Sequence, residues 1–276
     1  MNWSRAEADA ALHEHGFPTT DPIGRALLEM ARPSIRLHTL PYTHEPLPLA
    51  TSKYFGRPDL PPEVEWPMLR GDPLVFVAQI NLAEMTALEP ELELPRSGLL
   101  SFFCWAEEPG AGAYELVETG SGVVLFSSIN APLVPREPSL TVPRFEECRF
   151  EARVEPTLPP YESPELESLG FARDPTGFLP QEPWQRYLDV AEALARPYGG
   201  LESVHRVLGY PHQVQGALQA YCPSRSSDWR LLLQLDSDRN AGVGCGDAGT
   251  LYFMIRQDDL AAARFDNTYF VEVLLT

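Results

Sequence analysis

The clearest pattern along the chain is a two-residue alternation near its middle. Cys148, Phe150, Ala152 and Val154 alternate with Arg149, Glu151, Arg153 and Glu155. That period puts the apolar set on one face and the charges on the other, which predicts a half-buried antiparallel strand over Phe145–Glu155 ended by Pro156. Shorter apolar runs bounded by turn residues predict further strands over Leu74–Ile80, Leu99–Cys104, Tyr114–Glu118, Val123–Phe126, Trp229–Leu235, Thr250–Ile255 and Thr268–Leu275. Helical spacing is confined to a few places. Ser4 and Glu7 form a capping box, Gly16 stops that helix, and Asp21-Pro22 opens a second one with Leu27, Leu28 and Met30 toward a core. Over Glu182–Arg196 the spacing lines up Trp184, Tyr187, Leu188, Ala191, Leu194 and Ala195 on one stripe, with Pro197 closing the helix. A short helix is predicted near Asp258–Arg264, and the proline-rich stretch Pro41 to Pro73 reads as extended, turn-punctuated coil.

The strand pattern repeats. Lys53-Tyr54-Phe55-Gly56-Arg57-Pro58, Phe76-Val77-Ala78-Gln79-Ile80-Asn81 and Gly98-Leu99-Leu100-Ser101-Phe102 recur in order as Arg206-Val207-Leu208-Gly209-Tyr210-Pro211, Leu231-Leu232-Leu233-Gln234-Leu235-Asp236 and Gly249-Thr250-Leu251-Tyr252-Phe253. Gly56 precedes Gln79 by 23 residues and Gly209 precedes Gln234 by 25, so spacing is kept as well. The expected fold is α+β and mostly antiparallel β: two diverged β-rich repeats packed with pseudo-twofold symmetry, plus peripheral helices. The chain divides into an N-terminal helical segment (1–40), a first repeat (41–155), a linker and helix (156–197) and a second repeat (198–276), together one compact unit. The linker is placed at Pro156–Glu167, whose Pro/Glu/Ser composition suits a boundary. Gln79 and Gln234 interrupt apolar strands, so each needs its amide satisfied by neighbouring backbone, which favours a structural role. Asn81 before Leu82-Ala83-Glu84 fits a helix N-cap.

Charge removes some classes of function. With 21 basic and 39 acidic residues the net charge is −18, and no Lys/Arg cluster offers a footprint for nucleic acid. An acidic surface of this kind favours solubility and can steer a basic protein partner. No apolar run is long enough for a membrane span, and the polar start at Met1–Glu7 lacks the pattern of a secretory signal, so a cytoplasmic protein is expected. Cys104, Cys148, Cys222 and Cys245 are scattered and read as reduced, with Cys104 and Cys148 in core strands. The sequence carries no signal for oligomeric state. Lys53 is the single lysine among the basic residues.

The densest polar group is Asp236, Asp238 and Asp247, with Asn240 between them and Gly242, Gly244, Gly246 and Gly249 nearby. Oxygen ligands in a glycine-rich loop suit Ca²⁺ or Mg²⁺. The spacing is not that of an EF-hand, however, and a hairpin connection needs such residues anyway, so no cofactor is expected. His205-Arg206 and Lys53 would form a basic spot for an anion or carboxylate if the repeats face each other. The candidate cleft is then lined by Lys53, Gln79, His205, Arg206, Gln234, Asp236, Asp238 and Asp247. The competing reading is an internal set of salt bridges joining Lys53 and Arg206 to Asp236, Asp238 or Asp247. No nucleophile elbow, phosphate loop or zinc motif is present, and a Cys245 pairing with His205 or His212 is the one thiol arrangement to consider.

These blocks, with Ser52-Lys53-x-x-Gly56-x-Pro58 followed by Trp66-Pro67, Ala78-Gln79-Ile80-Asn81-Leu82, His205-Arg206-x-Leu208-Gly209-Tyr210-Pro211 and Gly246-Asp247-x-Gly249-x-Leu251, resemble the YwqG-like family of bacterial proteins. Phe55 and Cys245 depart from it, standing where the family commonly has glycine and tryptophan. The resemblance implies a mostly β α+β fold and names no reaction. Its relatives' association with loci for secreted toxins implies a protective, partner-binding role. Two functions follow as expectations: a non-enzymatic protein-binding module that neutralises a toxin, or a small-molecule- or metal-binding protein or hydrolase working in the cleft between repeats.

Overall fold

The computed structural model describes residues 5–105, 121–137, 145–171, 181–201, 203–213, 218, 221–224, 228–238, 240 and 249–274. Two helices, α1 (Arg5–Glu14) and α2 (Pro22–Met30), lead into strand β1 (Arg32–Thr39). Short strands β2 (Lys53–Tyr54), β3 (Asp59–Leu60), β4 (Met68–Leu69) and β5 (Asp72–Pro73) follow, then β6 (Val75–Asn81), helix α3 (Leu82–Leu88), β7 (Leu99–Cys104), β8 (Gly122–Ser127) and β9 (Val134–Pro135). The chain continues through β10 (Cys148–Thr157), helices α4 (Pro164–Ser168) and α5 (Gln181–Ala195), β11 (His205–Val207), β12 (Trp229–Asp236), β13 (Gly249–Arg256), helix α6 (Gln257–Ala261) and β14 (Tyr269–Leu274).

Ten of these strands form one antiparallel sheet in the order β14-β13-β12-β11-β1-β10-β2-β6-β7-β8. It curls into a nearly closed barrel. The outer strands β8 and β14 do not pair with each other; a Cβ added at Gly122 would lie 2.4 Å from the Cβ of Phe270, and Phe126 meets Phe265 with ring centroids 5.6 Å apart. Aromatic side chains therefore close the seam where a ladder of hydrogen bonds is missing.

Alternation explains the layering. Ile35, Leu37, Tyr54, Ile80, Leu100, Phe102, Phe150, Val207, Leu233, Leu235, Leu251, Phe253 and Phe270 share the main core. The outer faces are covered separately. Leu60, Leu74, Phe76 and Phe103 cluster on one flank, and Leu218, Cys222, Trp229, Leu231, Tyr252, Met254, Val271 and Val273 on the other. Helices α1, α2 and α5 form a third cluster through Leu12, Phe17, Leu27, Trp184, Tyr187, Val190 and Leu194.

The predicted strands β6, β7, β8, β12, β13 and β14 and helix α5 fall within a residue or two of their expected positions, whereas the short strands β2 to β5 lie in the stretch read as coil and β9 and β11 carry no strand prediction. Three other expectations differ in instructive ways. The segment 1–40 is not helical throughout: Arg32–Thr39 is a central strand, paired with β10 on one side and β11 on the other. Its apolar set Ile35 and Leu37 is buried, and so are the alternating Ser34 and Arg36, so both faces of this strand are covered. Pro156 does not end β10, which runs to Thr157 with Pro156 opposite Pro33. At that point neither strand pairs on its far side, since β11 joins β1 only from Ile35 and β2 joins β10 only at Cys148 and Arg149; a missing N–H there costs little. In the stretch read as a linker, helix α4 is capped by Ser163, whose Oγ accepts from the Leu166 N–H at 3.4 Å, and Leu166 is fully buried. On α5, Leu188 is 38% exposed and Val190 takes the core position instead. The strand expected at Tyr114–Glu118 lies outside the described residues.

Candidate functional site

Two clasps occupy equivalent register positions on either side of the sheet centre. Lys53 of β2 faces Gln79 of β6, and Arg206 of β11 faces Gln234 of β12. In both, an extra residue bulges the long strand two positions before the glutamine, at Val77 and at Leu232. The carbonyl of each bulged residue accepts a backbone N–H, from Phe55 at 2.9 Å and from Leu208 at 3.3 Å. Each donor residue is in the left-handed region and is followed by a left-handed glycine: Phe55 and Gly56 have φ of 55° and 78°, Leu208 and Gly209 have 58° and 70°. Glycine is required at the second position, because a Cβ on Gly56 would meet Glu147 Cβ at 2.5 Å and one on Gly209 would meet Ser34 Cβ at 2.6 Å.

The turn so formed brings the residue after each proline back onto the glutamine. Gln79 Oε1 accepts the Asp59 N–H at 2.8 Å, and its Nε2 donates to the Asp59 carboxylate at 2.8 Å and the Thr51 carbonyl at 3.0 Å. Gln234 Oε1 accepts the His212 N–H at 2.8 Å, and its Nε2 donates to the His212 carbonyl at 3.2 Å and to Asp236 Oδ1 at 3.3 Å. Both side chains are fully buried, each donating from Nε2 to two acceptors and accepting one backbone N–H at Oε1. Asn81 caps α3 as predicted, with its Oδ1 accepting the Ala83 N–H at 3.0 Å, and ties its Nδ2 to the Ala50 carbonyl at 2.9 Å.

The cations of the clasps are neutralised inside the fold. Lys53 Nζ is 3.4 Å from Glu147 and 3.6 Å from Asp59. Arg206 Nε is 3.0 Å from Glu155 Oε1, whose other oxygen is 3.7 Å from Arg36 Nη1. Arg206 Nη1 donates to the Tyr210 carbonyl at 2.8 Å, while Arg36 Nη2 donates to the carbonyls of Gly200 and Ser203 at 2.8 and 3.1 Å. Burial pushes the Arg36 pKa down, against the opposing pull of Glu155. Lys53 and Arg206 do not come together in one basic spot. They stand three strands apart and four residues out of register along β10, about 14 Å across the sheet and about 13 Å along it at the usual strand dimensions. The carboxylates that meet them are Asp59, Glu147 and Glu155, not the aspartates near the glycine loop.

His205 points to the opposite face of β11 from Arg206, toward the barrel interior beside Tyr54, with ring centroids 5.3 Å apart. Its Nδ1 accepts the Asp236 backbone N–H at 3.1 Å, which places the ring proton on Nε2, 2.9 Å from Asp238 Oδ2. The same Asp238 oxygen accepts from Thr39 Oγ1 at 2.6 Å, and Asp238 Oδ1 accepts the Asn240 N–H at 2.7 Å. Burial alone would raise the Asp238 pKa, but these donors outweigh it and hold the carboxyl at about 2. Ser203 Oγ lies 3.4 Å from His205 Nε2 yet donates its proton to the Ser237 carbonyl at 3.0 Å. Asp236 accepts the Val204 N–H at 2.7 Å. His212 is shifted to about 4, by burial first and the nearby Arg206 second.

Two described thiols, those of Cys148 and Cys222, are buried. Cys148 Sγ donates to the Asn240 carbonyl at 3.4 Å, and burial raises its pKa, as does Asp238; Cys222 is pushed up to about 12 by burial. Among the described residues no group of three or more His, Cys, Asp or Glu is placed to hold a metal ion. Asp247, Cys245 and the glycines at 242, 244 and 246 lie outside the described residues, so of the loop proposed for Ca²⁺ or Mg²⁺ only Asp236, Asp238, Asn240 and Gly249 are described, with both aspartates engaged by donors of the chain. Sequence reasoning missed Glu155, Asp59, Glu147 and Arg36. Asp59 was the legible one, since it directly follows the Gly-x-Pro turn.

Fold and site together define an antiparallel, nearly closed β-barrel protein whose recurring polar residues are buried in its own framework. Residues 52–272 match the family described as a domain of unknown function, DUF1963, and the chain belongs to that family. No curated protein matches the chain. Strand β1 lies outside the matched residues although it stands in the middle of the sheet. No described helix is long and apolar enough to cross a membrane.

Proposed function

We propose that the chain is a non-enzymatic protein-binding module of the cytoplasm, a YwqG-like member of its family, made of two repeated units. The observation that carries this is the commitment of the motif residues. Lys53, Gln79, Arg206 and Gln234 are buried, and each is partnered within the chain, so they serve the framework. The matched registers, bulges and left-handed turns support the repeated-unit reading.

Recognition then falls to the surface, and a net charge of −18 favours a basic protein, such as a toxin that the chain neutralises. The alternative, a small-molecule- or metal-binding protein or hydrolase, looks to His205 and Asp238. The arrangement weighs against it, because both ring nitrogens of His205 are committed within the chain and no lone pair is left to take a substrate proton. The deciding experiment measures binding of the full chain to purified basic proteins by calorimetry at low and high salt. Saturable 1:1 binding that weakens with salt and survives Cys245→Ser supports the proposal. Binding to no basic protein, together with turnover of a small-molecule substrate panel, overturns it.

A further inference from the structure

We infer that the two halves of the molecule are interlocked by an exchange of their first strands, so that neither can open without the other. The strand order reads outward from its centre as β1-β11-β12-β13-β14 in one direction and β10-β2-β6-β7-β8 in the other. In chain order, however, β1 precedes β2 and β10 precedes β11. Each half therefore takes its leading strand from the other.

Register supports the equivalence of the exchanged strands. Arg36 of β1 stands opposite Arg206, and Arg149 of β10 stands opposite Lys53. The flanking residues match in kind: Ile35-Arg36-Leu37 on β1 and Cys148-Arg149-Phe150 on β10, with the apolar members of both in the main core. The two exchanged strands also pair with each other over Arg32–Thr39 and Phe150–Thr157. Each unit thus begins at its exchanged strand, and Cys148–Thr157 belongs with the second unit, where the sequence pattern had put it with the first.

The connections fit. Residues 40–52 step over β10 to reach β2, about 10 Å at the usual strand spacing, and residues 158–204 step over β1 to reach β11 with α4 and α5 on the way. Side-chain ties cross between the units: Arg36 of the first pairs with Glu155 of the second, Ser34 Oγ donates to the Val207 carbonyl at 3.2 Å, and Tyr54 Oη donates to the Asp236 carbonyl at 3.2 Å.

This inference rests on the repeated-unit reading for the equivalence of the halves, and not on partner binding. The test is amide hydrogen exchange followed by mass spectrometry on the full chain, comparing native protein with Gln79→Leu and, as a milder change that keeps the fold, Val124→Ala in β8. Interlocked halves respond together: peptides from β12 and β13 accelerate by the same factor as peptides from β6 and β7, although the substitutions lie only in the first half. Acceleration confined to β6, β7 and β8 overturns the interlock. The repeated-unit reading fails by a different result, namely unequal losses of stability from matched substitutions at Gln79 and Gln234.

Discussion

Gln79 grips Asp59 by both ends of one amide, taking its backbone N–H at 2.8 Å and giving to its carboxylate at 2.8 Å. On the other side of the sheet Gln234 treats His212 similarly, taking the N–H at 2.8 Å and giving to the carbonyl at 3.2 Å. A buried amide that donates twice and accepts once within the chain is costly to lose. That is why these side chains are read as parts of the framework.

Glu155 is the shared counter-ion of Arg36 and Arg206. Glu155→Leu leaves two buried guanidiniums without their carboxylate and is expected to cost roughly 3–5 kcal/mol. Urea denaturation followed by tryptophan fluorescence checks it, with the exposed pair Arg57–Glu137 as control: Glu137→Ala should cost less than about 1 kcal/mol.

Gly209→Ala and Gly71→Ala separate backbone strain from collision. Both glycines have positive φ, 70° and 97°, but a Cβ on Gly71 meets nothing within 4 Å while one on Gly209 meets Ser34 Cβ at 2.6 Å and Thr157 Oγ1 at 2.7 Å. Gly71→Ala is expected to lose about 1 kcal/mol, and Gly209→Ala distinctly more, in thermal melts.

Acid should weaken the fold in two windows. The folded pKa of His212 is lowered to about 4 from the usual 6.5, so its contribution is full above 6.5 and is lost as the pH falls toward 4. Asp238 is lowered to about 2 from 3.8, so its contribution is present above 3.8 and is lost between there and 2. Urea midpoints at stepped pH should decline through the first window in the native protein and flatten there in His212→Gln, which keeps the backbone half of the clasp.

Much of this fold was legible in the sequence. Strands β7, β12 and β13 stand out because they are apolar on both faces, and the matching Gly-x-Pro and Gln blocks pointed to equivalent register positions. Strand β1 was passed over although Ser34 and Arg36 alternate with Ile35 and Leu37 as strand residues do; what the pattern could not show is that its polar face is buried, which only tertiary partners reveal. Glu147 and Glu155, unlike Asp59, were hidden as partners of Lys53 and Arg206, because they come from β10 and the residue before it, distant in sequence.

The buried position of β1 makes residues outside the family match part of the framework. Ile35→Asp would place a charge in the main core and is expected to abolish the folded state, whereas Leu40→Asp, at a side chain 39% exposed, should be nearly neutral, within about 0.5 kcal/mol. Circular dichroism and size-exclusion chromatography distinguish the two outcomes.

The most direct measurement is the stability of the full chain with Gln79→Ala, Gln234→Ala and both changes, by urea denaturation. The expected result is a loss of about 2 kcal/mol or more for each single change, similar in size, because each strands a buried backbone N–H. A folded variant with an unchanged midpoint at either position would contradict the framework role and return that glutamine to the candidates for ligand contact.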